Sequence, residues 1–216
     1  RIAFHIDPAA KIAALMEVRC ESGPVINSEH FISLANDLVA QVVVSNPENL
    51  EALVAQPFHK DPSRKVNDRI ADVVGLIREN MKAAKFVRLQ GGHFGSYIHH
   101  DGTVGVLIQV EGAKTDEQIL RDICMHIAAK NPLVATREEL SKDVVDKEFQ
   151  IARDAAAASG KPANIVEKIA EGKVKTWLAE NVLLEQPFIK EEKKTVGEIL
   201  NGAGLKFVRF VRYRVG

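Results

Sequence analysis

Apolar runs and helical stripes alternate along the chain in an order that occurs twice. Each copy begins with a continuous β-rich run, KIAALMEV at residues 11–18 and TVGVLIQV at residues 103–110. Runs of this length and composition predict buried strands. A helix with an apolar stripe follows each run and stops at Asn-Pro, because proline disfavours helical geometry in the residue before it. These two helices are predicted within residues 34–47 and 120–132.

Two further motifs recur behind each helix. The tripeptide QPF opens residues 56–61 and again residues 186–191. Each QPF is followed by a polar stretch, a short apolar segment and the sequence KFVR, which begins at Lys85 and at Lys206. Segments matched in the same order predict two copies of one unit, built as strand, helix, QPF connection, helix and strand. We therefore predict an α+β fold of two related subdomains, each a small antiparallel sheet packed with helices.

An insertion in the second copy predicts an antiparallel helical hairpin. Its first helical pattern ends near Gly160, which suits a helix C-cap, and Pro162 suits the first turn of the next helix. So short a connection makes the two helices antiparallel. Two helices cover each other's apolar stripe only in part, so we predict an oligomer contact. Its expected residues are Val145, Phe149, Ile165 and Ile169. The alternative is a hairpin folded back on its own domain.

These patterns divide the chain into four segments. We expect an N-subdomain over residues 1–92, the first part of a C-subdomain over 93–134, the hairpin over 135–183 and the rest of the C-subdomain over 184–216. The glycine-rich residues 91–95 lack Walker A spacing and are interpreted as the linker between the copies. The tail interleaves arginine with aromatic residues, as RNA-binding sheets do, but an edge strand with a solvated arginine face explains it as well. The chain opens on Arg1, and we interpret it as a fragment of a longer protein.

The composition excludes several classes of function. Lysine plus arginine and aspartate plus glutamate both number 29, and this zero net charge argues against broad electrostatic binding to nucleic acid or membranes. No apolar run approaches the roughly 18–20 residues of a membrane span, and no signal peptide is visible. Cys20 and Cys124 cannot build a disulfide framework, so we expect reduced thiols in a cytoplasmic protein.

His99-His100-Asp101-Gly102 is the segment most similar to a metal or acid–base site. Adjacent histidines on an extended segment point to opposite faces and cannot easily share one ion, and Asp-Gly is typical of a hairpin turn. The two cysteines lack a paired histidine, so nucleophilic roles are not expected. We predict no catalytic residue, no metal and no cofactor, and we interpret the duplicated core with its hairpin as a binding protein.

Ser22-Gly23-Pro24 ends the first apolar run abruptly. Glycine frees φ, whereas proline fixes φ and removes a hydrogen-bond donor, so a tight exposed turn is predicted. Asn27 or Ser28 is then expected to cap the following helix.

Six segments of the second half are specific enough to compare with known families. They are GSYIHHDGTVGVLIQVEG (95–112), DICMHIAAKNP (122–132), VVDKEFQIARD (144–154), SGKPANIVEKIAEGKVK (159–175), LLEQPFIKEEKKTVGEIL (183–200) and FVRFVRYRVG (207–216). In these segments the chain resembles the bacterial translation elongation factor Ts family. In the first half, MEVRCES resembles the family's strand end EVNCETDFV. The resemblance implies a core of two related subdomains with a coiled-coil insertion. It also implies that the family's amino-terminal ubiquitin-associated-like module and carboxy-terminal helical module lie outside this chain.

The resemblance further implies a function without covalent chemistry. It implies a guanine-nucleotide exchange factor that binds the GTPase elongation factor Tu, in its GDP-bound and nucleotide-free forms, and promotes GDP release. In the family, an Asp-Phe pair after the first strand wedges into the GTPase near its magnesium site. The matching positions here are Gly23 and Pro24, followed by Val25. Loss of the wedge leaves an alternative open, a scaffold that binds the GTPase with weak or no exchange activity.

Other contact positions are implied by the same resemblance. They are Ile77, Arg78, His99, Ile189 and Lys190. Arg78 stands where the family has glycine and Lys190 where it has an apolar residue, whereas His99 matches. A third possibility, an enzyme that uses His99 or Cys20, lacks a supporting second residue.

Overall fold

The computed structural model describes residues 1–113 and 115–216. Its strands are β1 (Ile2–Asp7), β2 (Ile12–Arg19), β3 (Pro57–Phe58), β4 (Asp61–Lys65), β5 (Lys82–Gln90), β6 (His93–Ile98), β7 (Val104–Glu111), β8 (Pro187–Phe188), β9 (Glu191–Thr195) and β10 (Lys206–Arg214). Its α-helices are α1 (Glu29–Ser45), α2 (Leu50–Ala55), α3 (Val66–Ile77), α4 (Glu117–Lys130), α5 (Lys142–Ala157), α6 (Ala163–Asn181) and α7 (Val196–Gly202).

The two predicted copies have the same order of elements, except that a short 3₁₀ segment, Leu183–Glu185, stands in the second copy where α2 precedes the QPF turn in the first. The first contains the antiparallel sheet β1-β2-β5 and the second the antiparallel sheet β6-β7-β10, with α5 and α6 inserted after α4. The QPF turns match closely. Val66 N–H donates to the Gln56 carbonyl at 3.0 Å, and Val196 N–H donates to the Gln186 carbonyl at 3.0 Å. The α+β fold class predicted from the repeats is therefore confirmed.

The chain forms two compact units, and unit 1 comprises Arg1–Ala128 with Leu205–Gly216. Its two three-stranded sheets pack face to face, and α1 covers the outer face of the first sheet. Side chains along β2 alternate between these layers. The residues facing the α1 layer are Ala14, Met16 and Val18, and those facing the second sheet are Ala13 and Leu15. A central strand buried on both faces explains why β2 reads as a continuous apolar run.

A buried carboxylate interrupts the β2 run at Glu17. Its Oε1 accepts a hydrogen bond from Arg19 Nε at 2.5 Å, and its Oε2 lies 2.9 Å from Lys85 Nζ. Burial raises the pKa of Glu17, but the hydrogen bonds from Lys85 and Arg19 outweigh it and hold that pKa below its ordinary value. Glu17 is therefore ionised within the protein and paired with two partly exposed cations.

The second copy uses the equivalent position, Gln109, to hold the connection between the copies. Gln109 Nε2 donates to the Gln90 carbonyl at 2.9 Å and to the Gly91 carbonyl at 2.8 Å. Strand β6 already begins at His93, so the linker interpretation of residues 91–95 is too long and only Gly91 and Gly92 connect β5 to β6. Strand β10 lies at the edge of its sheet beside β7, which agrees with the edge-strand interpretation of the tail.

Unit 2 comprises Ala129–Gly204 and contains the helical hairpin. Helices α5 and α6 pack together around a small apolar core, and Gly160 between them is left-handed with φ +69°. That core consists of Ala152, Ala170, Val174, Leu178 and Val182 with partly buried neighbours. Beside it, Arg137 makes a two-point ion pair with Glu185. Of the helices in the described residues, none is long and apolar enough to cross a membrane.

Candidate partner-binding surface

The turn after β2 leaves the core and exposes Gly23 and Pro24. Gly23 has helical backbone angles (φ −59°, ψ −46°), and Pro24 opens a short 3₁₀ segment. Ser28 then caps α1, because its Oγ accepts a hydrogen bond from Phe31 N–H at 3.2 Å. This bond confirms one of the two caps expected from the sequence. The exposed part of the turn is thus a proline held between a strand end and a capped helix.

The C-terminal end of α3 presents the second implied contact segment. Arg78 ends the helix in the left-handed conformation (φ 64°), and its N–H donates to the Val74 carbonyl at 2.7 Å. Ile77 is half-buried and packs, like Val25, against the core of unit 1. Leu76, which the sequence did not single out, is 66% exposed. Arg78 and Leu76 are therefore the residues of this segment that a partner can reach.

Side-chain hydrogen bonds join these two segments. Glu79 accepts a hydrogen bond from Ser22 N–H at 3.0 Å on Oε2 and from Ser22 Oγ at 2.5 Å on Oε1. Asn80 Nδ2 donates to Glu21 Oε1 at 2.8 Å. The turn after β2 and the end of α3 therefore lie side by side, through residues that sequence reasoning missed. Neither Glu79 nor Asn80 belongs to a periodic pattern that could have drawn attention to it.

His99 lies at the tip of the β6–β7 hairpin. Its N–H donates to the Val104 carbonyl at 2.8 Å, and its own carbonyl accepts from Gly102 N–H at 2.8 Å. Its Nδ1 is 3.2 Å from the Tyr97 hydroxyl. The hairpin turn expected at Asp-Gly is confirmed, and it leaves the His99 ring half-buried at the rim of the sheet.

Asp101 stabilises this turn through hydrogen bonds from Thr103. Its Oδ1 accepts hydrogen bonds from Thr103 N–H and Thr103 Oγ1, both at 2.8 Å, and the bond from the backbone N–H holds the pKa of Asp101 below its ordinary value. The His99 and His100 rings lie 4.3 Å apart, so the expectation that they point to opposite faces is wrong. They sit at a turn and not on an extended strand. Residues 1–113 and 115–216 contain no group of three His, Cys, Asp or Glu residues placed to hold a metal ion.

Arg1 connects the Pro24 turn to the His99 hairpin. Its Nη1 donates to the Ile26 carbonyl at 3.3 Å, two residues beyond Pro24. The same guanidinium lies over Gly102, where an added Cβ would be 2.7 Å from Nη1. The Ile2 N–H also donates to the Gly102 carbonyl at 2.8 Å. The two contact segments and the hairpin tip therefore occupy one end of unit 1.

Unit 2 carries the remaining implied contact at the β8–β9 turn. Ile189 is half-buried and Lys190 exposed. Ile189 borders a groove of about 780 Å³, which Lys130, Glu180 and Glu192 line with charge. The turn thus combines an apolar side chain with a charged rim, a composition typical of protein contacts.

The four hairpin residues expected at an oligomer contact differ in their exposure to solvent. Val145 and Phe149 pack into the core between α5 and α6, and Ile169 is half-buried. Ile165 is 39% exposed. The sequence missed Ile151, which is 51% exposed on a second stripe of α5. The exposed large apolar side chains of this hairpin are therefore Val144, Ile151 and Ile165.

Both thiols are poor nucleophiles. Burial raises the pKa of Cys20, and it raises the pKa of fully buried Cys124 far more. Cys20 Sγ also donates to the Ser22 carbonyl at 3.3 Å. A thiolate, which is the reactive form, is thus disfavoured at both positions at neutral pH.

Exposed turns on a duplicated α+β core are therefore the candidate functional features of the residues that the structure describes. Comparison with known proteins gives the family. The family model "Elongation factor TS" matches residues 25–216, which begin directly after Pro24. The chain belongs to the elongation factor Ts family, whose members act in translation elongation.

Curated relatives agree with this assignment over the whole chain. Elongation factor Ts of Thioalkalivibrio sulfidiphilus (strain HL-EbGR7) is 42% identical over 220 residues, which cover 100% of this chain and 73% of that protein. Elongation factor Ts of Thiobacillus denitrificans (strain ATCC 25259 / T1) is 39% identical, covering 100% and 72%. Elongation factor Ts of Methylococcus capsulatus (strain ATCC 33009 / NCIMB 11132 / Bath) is 38% identical, covering 100% and 73%.

Proposed function

We propose that the protein is a guanine-nucleotide exchange factor that binds elongation factor Tu carrying GDP and promotes GDP release in the cytoplasm. One observation carries the proposal: exposed Pro24, exposed Arg78 and the His99 hairpin lie at one end of unit 1. Membership of the elongation factor Ts family supplies the partner. The proposal needs no cofactor, because the factor acts through binding alone.

The proposed mechanism is thermodynamic linkage. A factor that binds the nucleotide-free GTPase more tightly than the GDP form must weaken GDP binding by the same ratio. Each 1.4 kcal/mol of that difference corresponds to about tenfold in affinity. The contacts made only with the nucleotide-free state therefore determine how far the affinity for GDP is weakened.

The test is the release of labelled GDP from elongation factor Tu. We expect a saturating concentration of this protein to raise the release rate roughly tenfold or more above the spontaneous rate, which corresponds to a decrease of ~1.4 kcal/mol or more in the activation free energy of release. An equal concentration of an unrelated protein is the control. A release rate that stays at its spontaneous value would exclude the exchange function.

A scaffold without exchange activity is the second candidate, and the Gly23-Pro24 pair favours it. Neither residue supplies the acid or the aromatic ring of the family's wedge. The same experiment separates the candidates when binding is measured beside release. A scaffold binds elongation factor Tu with and without GDP at similar affinity, which leaves the affinity for GDP unchanged because equal affinity shifts no equilibrium. The release rate then stays at its spontaneous value in the same assay.

We also propose that the hairpin supplies a homodimer contact. The support is the exposed apolar surface of Ile151 and Ile165 on α5 and α6. Phe149 is a poor probe of this contact, because its replacement would also remove packing between the two helices.

Replacing both Ile151 and Ile165 by alanine is expected to weaken the dimer about tenfold or more. Each side chain is still partly exposed and would bury its remaining apolar area on association, which contributes roughly 1 kcal/mol apiece. Sedimentation over a range of concentrations measures the dissociation constant. Val44→Ala is the matched control, because Val44 is 66% exposed but lies on α1. An unmodified protein that is monomeric at every concentration would rule out the contact.

A further inference from the structure

Hydrogen bonds connect Glu79 and Asn80, which follow α3, to Ser22 and Glu21, which follow β2. The carboxylate of Glu79 uses both of its oxygens on Ser22, one on the N–H at 3.0 Å and one on the hydroxyl at 2.5 Å. The neighbouring bond from Asn80 to Glu21 is made by exposed side chains. Glu79 accepts two partly buried hydrogen bonds, whereas the Asn80–Glu21 bond is single and exposed to water. Hydrogen bonds are stronger away from water, so the Glu79 carboxylate makes the main link between the segments.

Steric packing does not hold the turn at its exposed point. A Cβ added at Gly23 would meet no heavy atom within 4 Å. On the far side of the turn, Val25 and Ile26 are anchored by packing against the core of unit 1. On the near side, the bonds of Glu79 fix Ser22. Gly23 and Pro24 thus lie between two fixed points, the packed side chains of Val25 and Ile26 and the Ser22–Glu79 hydrogen bonds.

The conformation of Arg78 brings Glu79 to Ser22. Arg78 adopts φ 64°, a left-handed geometry that residues with a Cβ adopt at a cost. The chain reverses there, so that Glu79 follows directly with its carboxylate on Ser22. The reversal at Arg78 therefore leaves the Arg78 side chain exposed, and it lets Glu79 hold the Pro24 turn beside that side chain.

We propose that Glu79 is a positioning residue of the exchange surface, which holds Gly23-Pro24 beside Arg78 so that both dock as one preformed surface. The inference rests on the proposed function. Binding is weaker when a loop must first be ordered, because the apparent dissociation constant equals the intrinsic one divided by the fraction of molecules in the competent state. Loss of the tie lowers that fraction and leaves the docked complex unchanged.

A direct contact between Glu79 and the GTPase makes a different prediction. If Glu79 acts through Ser22, replacing both residues costs no more than replacing Glu79 alone. If Glu79 touches the partner itself, the two losses multiply, because independent sites contribute additively to the free energy. The double-mutant cycle therefore separates positioning from contact.

The experiment uses the full chain with Glu79→Ala, Glu79→Gln, Ser22→Ala and the double variant Ser22→Ala/Glu79→Ala, with Asn80→Ala as the matched control. Amide hydrogen exchange of Ser22 in the free protein is the first measurement. The second is the rate of GDP release from elongation factor Tu against the concentration of factor. Amide exchange shows whether the turn is held in place in the free protein, and the concentration dependence of GDP release shows how this affects binding to the GTPase.

We expect Glu79→Ala to speed Ser22 amide exchange and to raise the half-saturating concentration, each about tenfold, with the release rate at saturation within about twofold of the original. Glu79→Gln keeps one acceptor oxygen, so its amide exchange rate and its half-saturating concentration should lie between those of the original protein and of Glu79→Ala. Asn80→Ala should change neither quantity by more than about twofold. Unchanged amide exchange in Glu79→Ala, a lower rate at saturation, or multiplied losses in the double variant would each overturn the proposal. If the unmodified factor does not accelerate GDP release, the proposed function is wrong and Glu79 has no role in docking to the GTPase. Amide exchange would still show whether Glu79 holds Ser22 in the free protein.

Discussion

Replacing Gly95 by alanine is expected to lower the free energy of unfolding by about 1–3 kcal/mol. Gly95 lies in β6, where a Cβ would be 2.5 Å from Leu120 Cβ and 3.1 Å from the carbonyl carbon and oxygen of Leu120 in α4. Backbone atoms cannot rotate away as the end of a side chain can, so the helix or the strand must shift. Equilibrium unfolding in urea, followed by circular dichroism, measures the change.

Gly75→Ala is the matched control, and its effect should have the opposite sign. Gly75 lies in α3, and no heavy atom comes within 4 Å of an added Cβ. Alanine inside a helix is favoured over glycine by roughly 0.5–1 kcal/mol, so this variant should gain stability. A Gly95→Ala protein as stable as the original would mean that β6 and α4 do not pack as described.

Much of the fold follows from the sequence because packing demands recur in both copies. Strands β2 and β7 are each buried on both faces, which forces two continuous apolar runs. Asn46 and Asn131, before the two prolines, both adopt a positive φ. Such local signals are set within a few residues of the chain, so they can be recognised without knowing any distant contact.

The geometry of the candidate surface could not be predicted in this way. Glu79 and Ser22 are 57 positions apart, and neither residue is unusual in its local sequence. Likewise, nothing near Gly102 indicates that the Arg1 guanidinium covers it. Contacts of this kind depend on how the sheets and helices come together, so they appear only in the folded structure. The resemblance names the segments expected to contact the partner, but only the structure shows what joins them.

The hairpin shows a second limit of pattern reading. Helix α5 carries two apolar stripes, one through Val145 and Phe149 and another through Val144 and Ile151. Periodicity reveals both stripes but cannot tell which one pairs with α6. In the structure the first stripe faces α6 and the second is exposed, so the two α5 residues expected at the oligomer contact lie in the core of the hairpin instead.

The paired change Gly23→Asp with Pro24→Phe is expected to raise the rate of GDP release about tenfold, which corresponds to a decrease of ~1.4 kcal/mol in the activation free energy of release. It restores an acid and an aromatic ring where the family's wedge lies, and phenylalanine can bury on the order of 150–250 Å². The fold accepts both residues, since Gly23 has φ −59° with open space around it and Pro24 is exposed. Labelled GDP release from elongation factor Tu measures the effect.

Single replacements measure how much Pro24 and His99 each contribute to binding and to GDP release in the original protein. Pro24→Ala should weaken binding only two- to fivefold, because a proline that fits its site contributes about 0.4–1 kcal/mol through loop entropy. His99→Ala should lower GDP release about tenfold, since the ring stands at the hairpin tip and its loss removes a contact of at least ~1.4 kcal/mol. Under this hypothesis the turn is a rigid contact, and displacement of GDP depends more on His99.

The paired change and the single replacements can contradict this division in two ways. If Pro24→Ala abolished GDP release while His99→Ala left it intact, the turn would be the main effector in spite of its small side chains. If the Asp-Phe pair lowered release, the partner would have no pocket for a wedge at that point, and the Gly23-Pro24 pair would be matched to a different contact. Because Gly23 has free space and Pro24 is exposed, a loss of activity in the paired variant would report the interface and not a damaged core.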